Sequence, residues 1–160
     1  MENKENVQNM EMVQDGKQFI VVRLGSEQYG IDIQYVDNIV RQQRVTRVPK
    51  AQHYFRGVIN LRGEIIPVMS LRLKFDLEPD EYTNATRIII VKLEAQSAIG
   101  IIVDEVKEVV TLDEDSIDKP TTSDGVSDLR IQYLSGVGKH ESGLISLLNI
   151  ANVVNEKEPM

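Results

Sequence analysis

The sequence predicts a mainly β protein of nine or ten short strands, curled into barrels rather than laid out as one open sheet. Its apolar runs, such as Ile88 to Val91 and Ala98 to Val103, are short and rich in Val and Ile, residues that fit a pleated surface. Tyr29, Ile31 and Ile33 alternate with Gly30 and Asp32, which is strand spacing. Gly, Asn, Asp and Ser recur between the runs as turn formers.

Taken in order, Met1 to Gly16 is charged, amide-rich and aperiodic, and is expected to be a mobile tail. Phe19 to Leu24 is a buried strand, Gly25 to Gln28 a turn, and Tyr29 to Ile33 the returning strand. Ile33, Val36 and Val40 stand three and four apart, so one helical turn is expected there. Val45 to Val48 extends again before Pro49, and Ala51 to Arg56 forms a short helix or turn. Leu71 to Phe75 reads as one helical turn. Arg87 to Leu93, Ala98 to Val103 and Val106 to Leu112 are strands, with turns at Gln96 and at Asp104-Glu105. Asp113 to Asp128, acidic and holding Pro120, is expected to be a long exposed loop. Leu129 to Val137 and Ser142 to Leu148 make the last pair, joined through Gly138, Lys139 and His140. Asn149 to Asn155 closes as a short helix. No internal repeat is evident from residue identities.

The stretch Gly57-Val58-Ile59-Asn60-Leu61-Arg62-Gly63-Glu64-Ile65-Ile66-Pro67-Val68 carries most of the functional information. Two apolar runs flank a polar corner, and Gly63 can take the positive φ of a tight reversal. This is a hairpin with a guanidinium fixed near its turn. Held there, Arg62 either offers its fork of donors to a partner's carboxylate or carbonyl, or ties the turn to a neighbouring strand.

Composition narrows the function classes. The chain has 160 residues, no cysteine and a formal net charge of −7. Disulfides, thiolate catalysis and Cys-based zinc sites are excluded. A large nucleic-acid footprint is disfavoured by the charge and by aromatics at 5%. The apolar runs are far short of the ~20 residues a bilayer span needs. Met1 to Gln14 has no apolar core of a signal peptide, so the expected location is the cytoplasm, without membrane insertion.

Catalytic patterns fail inspection. His53 and His140 have no nucleophile paired with them in a known elbow. Gly136-Val137-Gly138-Lys139 lacks the first glycine of a phosphate loop, and His140 stands where Ser or Thr would bind magnesium. Asp113, Asp115 and Asp118 lack the glycine and glutamate of a calcium loop, as do Asp76, Glu78 and Asp80. No enzyme activity, metal or cofactor is expected. Arg41, Arg44, Arg47, Lys50 and Arg56 form a basic patch, readable as a solvated edge or as a face for an acidic protein partner.

From about Lys17 to Asn155 the chain resembles the CheW family of bacterial chemotaxis coupling proteins. The resemblance rests on an ordered series. It runs through Phe19 to Leu24 with Tyr29 to Ile33, Val48-Pro49, Phe55 to Gly63, Ile66-Pro67-Val68, Leu71-Arg72, Thr86 to Val91, Gly100 to Asp104 and Tyr133 to Gly138. It implies two intertwined five-stranded, SH3-like barrels packed around a shared hydrophobic seam, with tails at residues 1–16 and 156–160. It also implies an adaptor without catalysis, linking the cytoplasmic tips of methyl-accepting chemoreceptors to the regulatory domain of the histidine kinase CheA. Receptor contacts implied are Val36, Ile39, Gly57, Asn60 and Arg62; kinase contacts implied are Tyr29, Val40 and Val45. On this reading Arg62→Ala or Gly57→Asp leaves the fold largely intact and weakens coupling. Relatives usually carry a glutamate able to pair with this arginine where Asn38 stands here. Either neighbouring Asp37 substitutes, or Arg62 has another partner, or the pair is absent. The rival readings are a paralogue serving a pilus-motility or other array or working as a stand-alone kinase-regulatory domain, a nucleic-acid-binding barrel, and an enzyme. A fusion to a receiver domain is disfavoured by the chain's end near Met160.

Overall fold

The computed structural model describes residues 16–93, 97–120 and 128–155. Among them the first part contains β1 (Lys17–Leu24), β2 (Glu27–Asp32), β3 (Val36–Arg41), β4 (Phe55–Leu61), β5 (Glu64–Ser70) and helix α1 (Leu71–Lys74). The remainder contains β6 (Arg87–Val91), β7 (Ile99–Val103), β8 (Glu105–Leu112), β9 (Ile117–Asp118), α2 (Asp128–Ile131), β10 (Leu134–His140), β11 (Gly143–Leu148) and α3 (Ile150–Val154). The tail expectations, the Gln96 turn and most of the second half of the acidic loop lie outside the described residues.

The strands form two sheets, a six-stranded one in the order β8-β1-β2-β11-β10-β9 and a five-stranded one in the order β3-β6-β7-β5-β4. The protein is mainly β, as expected. The six-stranded ladder exceeds the five expected because the two-residue β9 joins its edge, and neither ladder closes into a continuous barrel. The second sheet curls back through one bridge. The N–H of Thr46 donates to the Val58 carbonyl and that of Val58 to the Thr46 carbonyl, both at 2.8 Å.

Alternation along the strands divides the core into three clusters. Phe19 and Val21 face inward on the first sheet with Val110, Leu112, Ile145 and Leu147. Ile59, Val68, Ile88, Ile90 and Ile102 do the same inside the second. The opposite faces, including Ile20 and Val22 on β1, Ile89 and Val91 on β6, and Ile101 and Val103 on β7, meet in a shared seam. Strands buried on both faces read as unbroken apolar runs, which is why these were evident from sequence.

Several elements differ from expectation, among them the start of the expected acidic loop, which holds a 3-10 turn at Glu114–Ser116 and the strand β9. Only Ile33–Tyr35 is helical, as a 3-10 turn, and Val36 begins β3. A bulge between Val36 and Asn38 shifts strand parity there. Val36, opposite Val91, and Ile39, opposite Ile89, therefore share the seam face although three apart. The helical spacing of Ile33, Val36 and Val40 does not reflect a shared face, since Val36 packs on the seam and Val40 on the cluster inside the second sheet. The segment opening at Leu129 is helix α2, not strand, and β10 starts at Leu134. Gly138 lies within β10 rather than in a turn, because a Cβ there would come within 2.5 Å of Leu112 Cδ1. The turn falls at Glu141-Ser142.

Register reveals an internal repeat that residue identities hide. β3 pairs β6 as β8 pairs β1, β5 runs parallel to β7 as β11 runs parallel to β2, and β4 pairs β5 as β10 pairs β11. Val68 sits opposite Gly57 and Gly100, and Leu147 opposite Gly136 and Gly30. Bulges recur at the equivalent places, between Phe55 and Gly57 and between Leu134 and Gly136. Residues 17–74 thus correspond to residues 87–154. Each half lends its opening hairpin, β1–β2 or β6–β7, to the sheet of the other. Each ends in a short helix capped by a side chain, Ser70 Oγ accepting from Leu73 N–H and Asn149 Oδ1 from Asn152 N–H.

Candidate functional site

Two surfaces follow from this architecture. The first is the β4–β5 hairpin tip. Leu61 pairs with Glu64, leaving Arg62 and Gly63 as a two-residue loop with φ of 54° and 85°. Two left-handed residues make a type I′ turn, whose twist matches the flanking strands. A non-glycine residue in this conformation costs roughly 1–2 kcal/mol. Asn60 offsets part of it, its Oδ1 accepting the Gly63 N–H at 3.0 Å. Asn60 therefore shapes the turn that presents Arg62. Arg62 is exposed, and among the described residues its guanidinium has no hydrogen bond or ion pair. The pair with Asp37 is absent. Asp37 is exposed on the β3 bulge, and Asn38 turns its Oδ1 to the Ile39 N–H at 2.8 Å.

The second surface is the margin of the seam. Val36 packs against the seam cluster, and Ile39, on the same face, remains 36% exposed. Their equivalents across the repeat are Val106 and Val109. Val106, opposite Val22, also packs on the seam, and Val109, opposite Ile20, is 52% exposed. Two sheets thus contribute the same pair of apolar positions, one packed on the seam and one exposed beside it.

Gly57 does not belong to the exposed set. It is buried at φ 138°, and a Cβ there would lie 2.1 Å from the Thr46 carbonyl oxygen. The absent side chain lets Thr46 reach Val58 and curl the second sheet. This corrects the expectation that Gly57→Asp spares the fold. Tyr29 is 2% exposed, with its ring 5.5 Å from that of Phe75, and reaches the surface only where it lines an open pocket with Glu27 and Arg130. Its hydroxyl donates to Glu27 Oε2 at 2.8 Å and accepts from Arg130 Nη1 at 3.0 Å. Burial, reinforced by Glu27, pushes its pKa up to about 12. Val40 and Val45 are half-buried and pack on the cluster inside the second sheet.

A charged joint between the two sheets was not singled out from sequence, although both its main residues lie in the motif series. Arg72 on α1 donates from Nε and Nη2 to the two carboxylate oxygens of Asp104, at 2.8 and 2.5 Å. Gly25 N–H donates to the same carboxylate at 2.8 Å. Arg23 reaches Asp104 at 3.6 Å and Glu105 at 2.9 Å. Burial pushes the Asp104 carboxyl up, but the Arg72 fork, the Gly25 N–H and the Arg23 charge outweigh it and hold it below the usual range. Among the described residues no group of His, Asp and Glu has the geometry of a metal site. No described helix is long and apolar enough to cross a membrane.

Comparison with known proteins agrees with the architecture. The family model for the CheW-like domain matches residues 18–158. The chain belongs to the CheW family. It is 35% identical to the chemotaxis protein CheW of Bacillus subtilis, over 91% of each chain. It is 34% identical to that of Klebsiella aerogenes, over 89% of this chain and 84% of the other. The crystal structure of the scaffolding protein TtCheW from Thermoanaerobacter tengcongensis superposes with a TM-score of 0.78 at 34% identity, covering 89% of this chain and 92% of that one.

Proposed function

We propose that this chain is the adaptor that couples chemoreceptor cytoplasmic tips to the histidine kinase CheA, supporting array assembly and kinase control. At the coarser level it is a chemotaxis scaffold, not an enzyme, in keeping with its family. The observation that carries the finer reading is the seam margin, where Val36 and Ile39 stand across the repeat from Val106 and Val109. Its half-exposed β-branched residues fit the apolar stripe of a helical receptor tip, in the helix-in-groove mode. Arg62, on its rigid turn, supplies a charged contact at the hairpin tip, with Asn60 as the residue that positions it. Val40 and Val45 act on the kinase side by shaping the barrel that meets the kinase regulatory domain. The site of action is the cytoplasmic face of membrane-bound receptor arrays. Signalling is then a shift between assembled states, with no bond made or broken in this chain.

The test is a pull-down with the CheA regulatory domain and, separately, a soluble receptor-tip fragment, using wild type, Arg62→Ala and Ile39→Asp. Binding to both partners, with the variants impaired only toward the receptor fragment, is the expected result. Failure of the wild type to bind either partner overturns the proposal.

A further inference from the structure

The internal repeat predicts that each half has an equivalent cavity at the mouth of its sheet, and both are present. One, of about 490 Å³, is lined by Phe19, Leu112 and Ile117 with Asp32, Glu114 and Lys17. The other, of about 360 Å³, is lined by Val45, Ile88 and Ile102 with Arg44, Arg47 and Arg56. The correspondence is set by register. Val40 pairs with Ile88 as Val110 pairs with Phe19, and Thr46 pairs with Val58 as Asp118 pairs with Val137. The apolar floors are alike, whereas the rims have diverged in charge. Two carboxylates and an ammonium edge the first, and three guanidinium groups edge the second.

We propose that the arginine-rimmed cavity binds an acidic peptide segment bearing one apolar anchor residue. Among the described residues none of Arg44, Arg47 and Arg56 makes a side-chain hydrogen bond or an ion pair. Arg56 only feels the field of the Asp80 carboxylate. Three such cations gathered in a chain of net charge −7 leave strong local complementarity for an anionic ligand. The floor of Val45, Ile88 and Ile102 is continuous with the cluster inside the second sheet, so an inserted Leu or Phe side chain would add to an existing core. The volume is at the low end of the roughly 300–1,000 Å³ of ligand pockets, which suits one anchor side chain better than a cofactor. Tyr82 is the sole aromatic on the rim, so there is no stacking platform for successive bases. The cavity is separate from the seam margin and hairpin tip of the receptor reading and adjoins Val45, which the proposed function places on the kinase side, so a short peptide free of the kinase tests it independently.

The experiment is fluorescence anisotropy with a fluorescein-labelled peptide of sequence Glu-Asp-Leu-Glu-Asp, at low and at physiological salt. The probes compared are the same peptide with serine in place of leucine and a labelled oligothymidylate. The expected results are saturable binding that weakens with salt, a loss of about tenfold in the Arg44→Ala/Arg47→Ala variant, and a several-fold loss for the serine peptide. A Lys92→Ala/Lys119→Ala variant removes the same charge from exposed positions elsewhere and should bind as wild type does. Thermal melts establish that each variant is folded. No binding by wild type, an unchanged affinity in the double arginine variant, or tighter binding of the oligothymidylate overturns the proposal.

Discussion

Gly57→Ala isolates the geometry that closes the second sheet. A Cβ at this position would stand 2.1 Å from the Thr46 oxygen, 2.7 Å from its carbonyl carbon and 2.9 Å from Val45 Cγ1. Two of these atoms are backbone, so relief requires moving the 45–46 segment and breaking the Thr46–Val58 bridge. Its two hydrogen bonds contribute ~0.5–1.5 kcal/mol each. Forcing an L-residue into positive φ adds ~1–3 kcal/mol. The sum centres on ~4 kcal/mol, a large part of the ~5–15 kcal/mol that stabilises a typical domain. For a chain of this length that lowers Tm by roughly 8–16 °C. Gly63→Ala is the matched control. It too has positive φ, but an added Cβ there meets nothing within 4 Å, so the cost is the backbone term alone, roughly 1–2 kcal/mol. Urea denaturation followed by circular dichroism reads both. If Gly57→Ala is no less stable than Gly63→Ala, the bridge does not hold the sheet and the structural role assigned to Gly57 is wrong.

Arg72→Ala removes a bidentate partner from a mostly buried carboxylate and should cost ~2–3 kcal/mol in urea denaturation, with less than additive loss when combined with Asp104→Ala. The pH dependence has a defined sign. Because the folded Asp104 carboxyl is held below its ordinary value, its stabilising contribution is complete above the unfolded pKa, ~3.9, and is lost as pH falls below it. Urea midpoints between pH 3 and 7 should therefore fall at the acid end in wild type and fall less in Arg72→Ala; parallel curves would show that the pair is not the source. Tyr29→Phe leaves the ring packing and the direct Arg130–Glu27 ion pair at 3.0 Å, and removes only the two hydrogen bonds of the hydroxyl. Expected is a loss of ~1 kcal/mol with binding to the kinase regulatory domain unchanged, and lost binding in a folded variant would place Tyr29 back on the partner surface.

The strands around Val21, Ile89 and Ile101 were legible because both faces of each are buried and composition alone marks them. β3 was not, because Ile33, Val36 and Val40 stand at helical spacing, although Val36 packs on the seam and Val40 on the cluster inside the second sheet. Nor was α2, whose position is fixed by the Arg130 contacts to Glu27 and Tyr29, residues more than a hundred positions away. At the site, the motif containing Gly57 and Arg62 was evident, but the division of labour within it was not. Gly63 and Asn60 act within the turn, which local sequence encodes. Gly57 acts on Thr46, a strand approach that no local pattern announces. Tyr29 alternates correctly with Gly30, yet alternation says only that one face is buried, not that the tyrosine is on it.

The repeat explains why function concentrates where it does. Equivalence of the halves demands similar volumes and similar backbone hydrogen bonds at Val36 and Val106, Ile39 and Val109, Ser70 and Asn149, Gly100 and Gly30. Positions that have kept their chemistry across the repeat are those where the fold needs it, or where both halves serve one groove. Positions that have diverged are free of that demand. The hairpin tips diverge, Arg62-Gly63 in one half against Glu141-Ser142 in the other, and so do the cavity rims, arginine against carboxylate. A scaffold that places different partners at its two ends needs this pattern, a common frame with unlike tips and rims. Changing the tip charge alone, by Arg62→Glu with Gly63 kept for the turn, should then preserve folding while abolishing receptor-tip binding. Retained binding in that variant would move recognition from the tip to the seam margin.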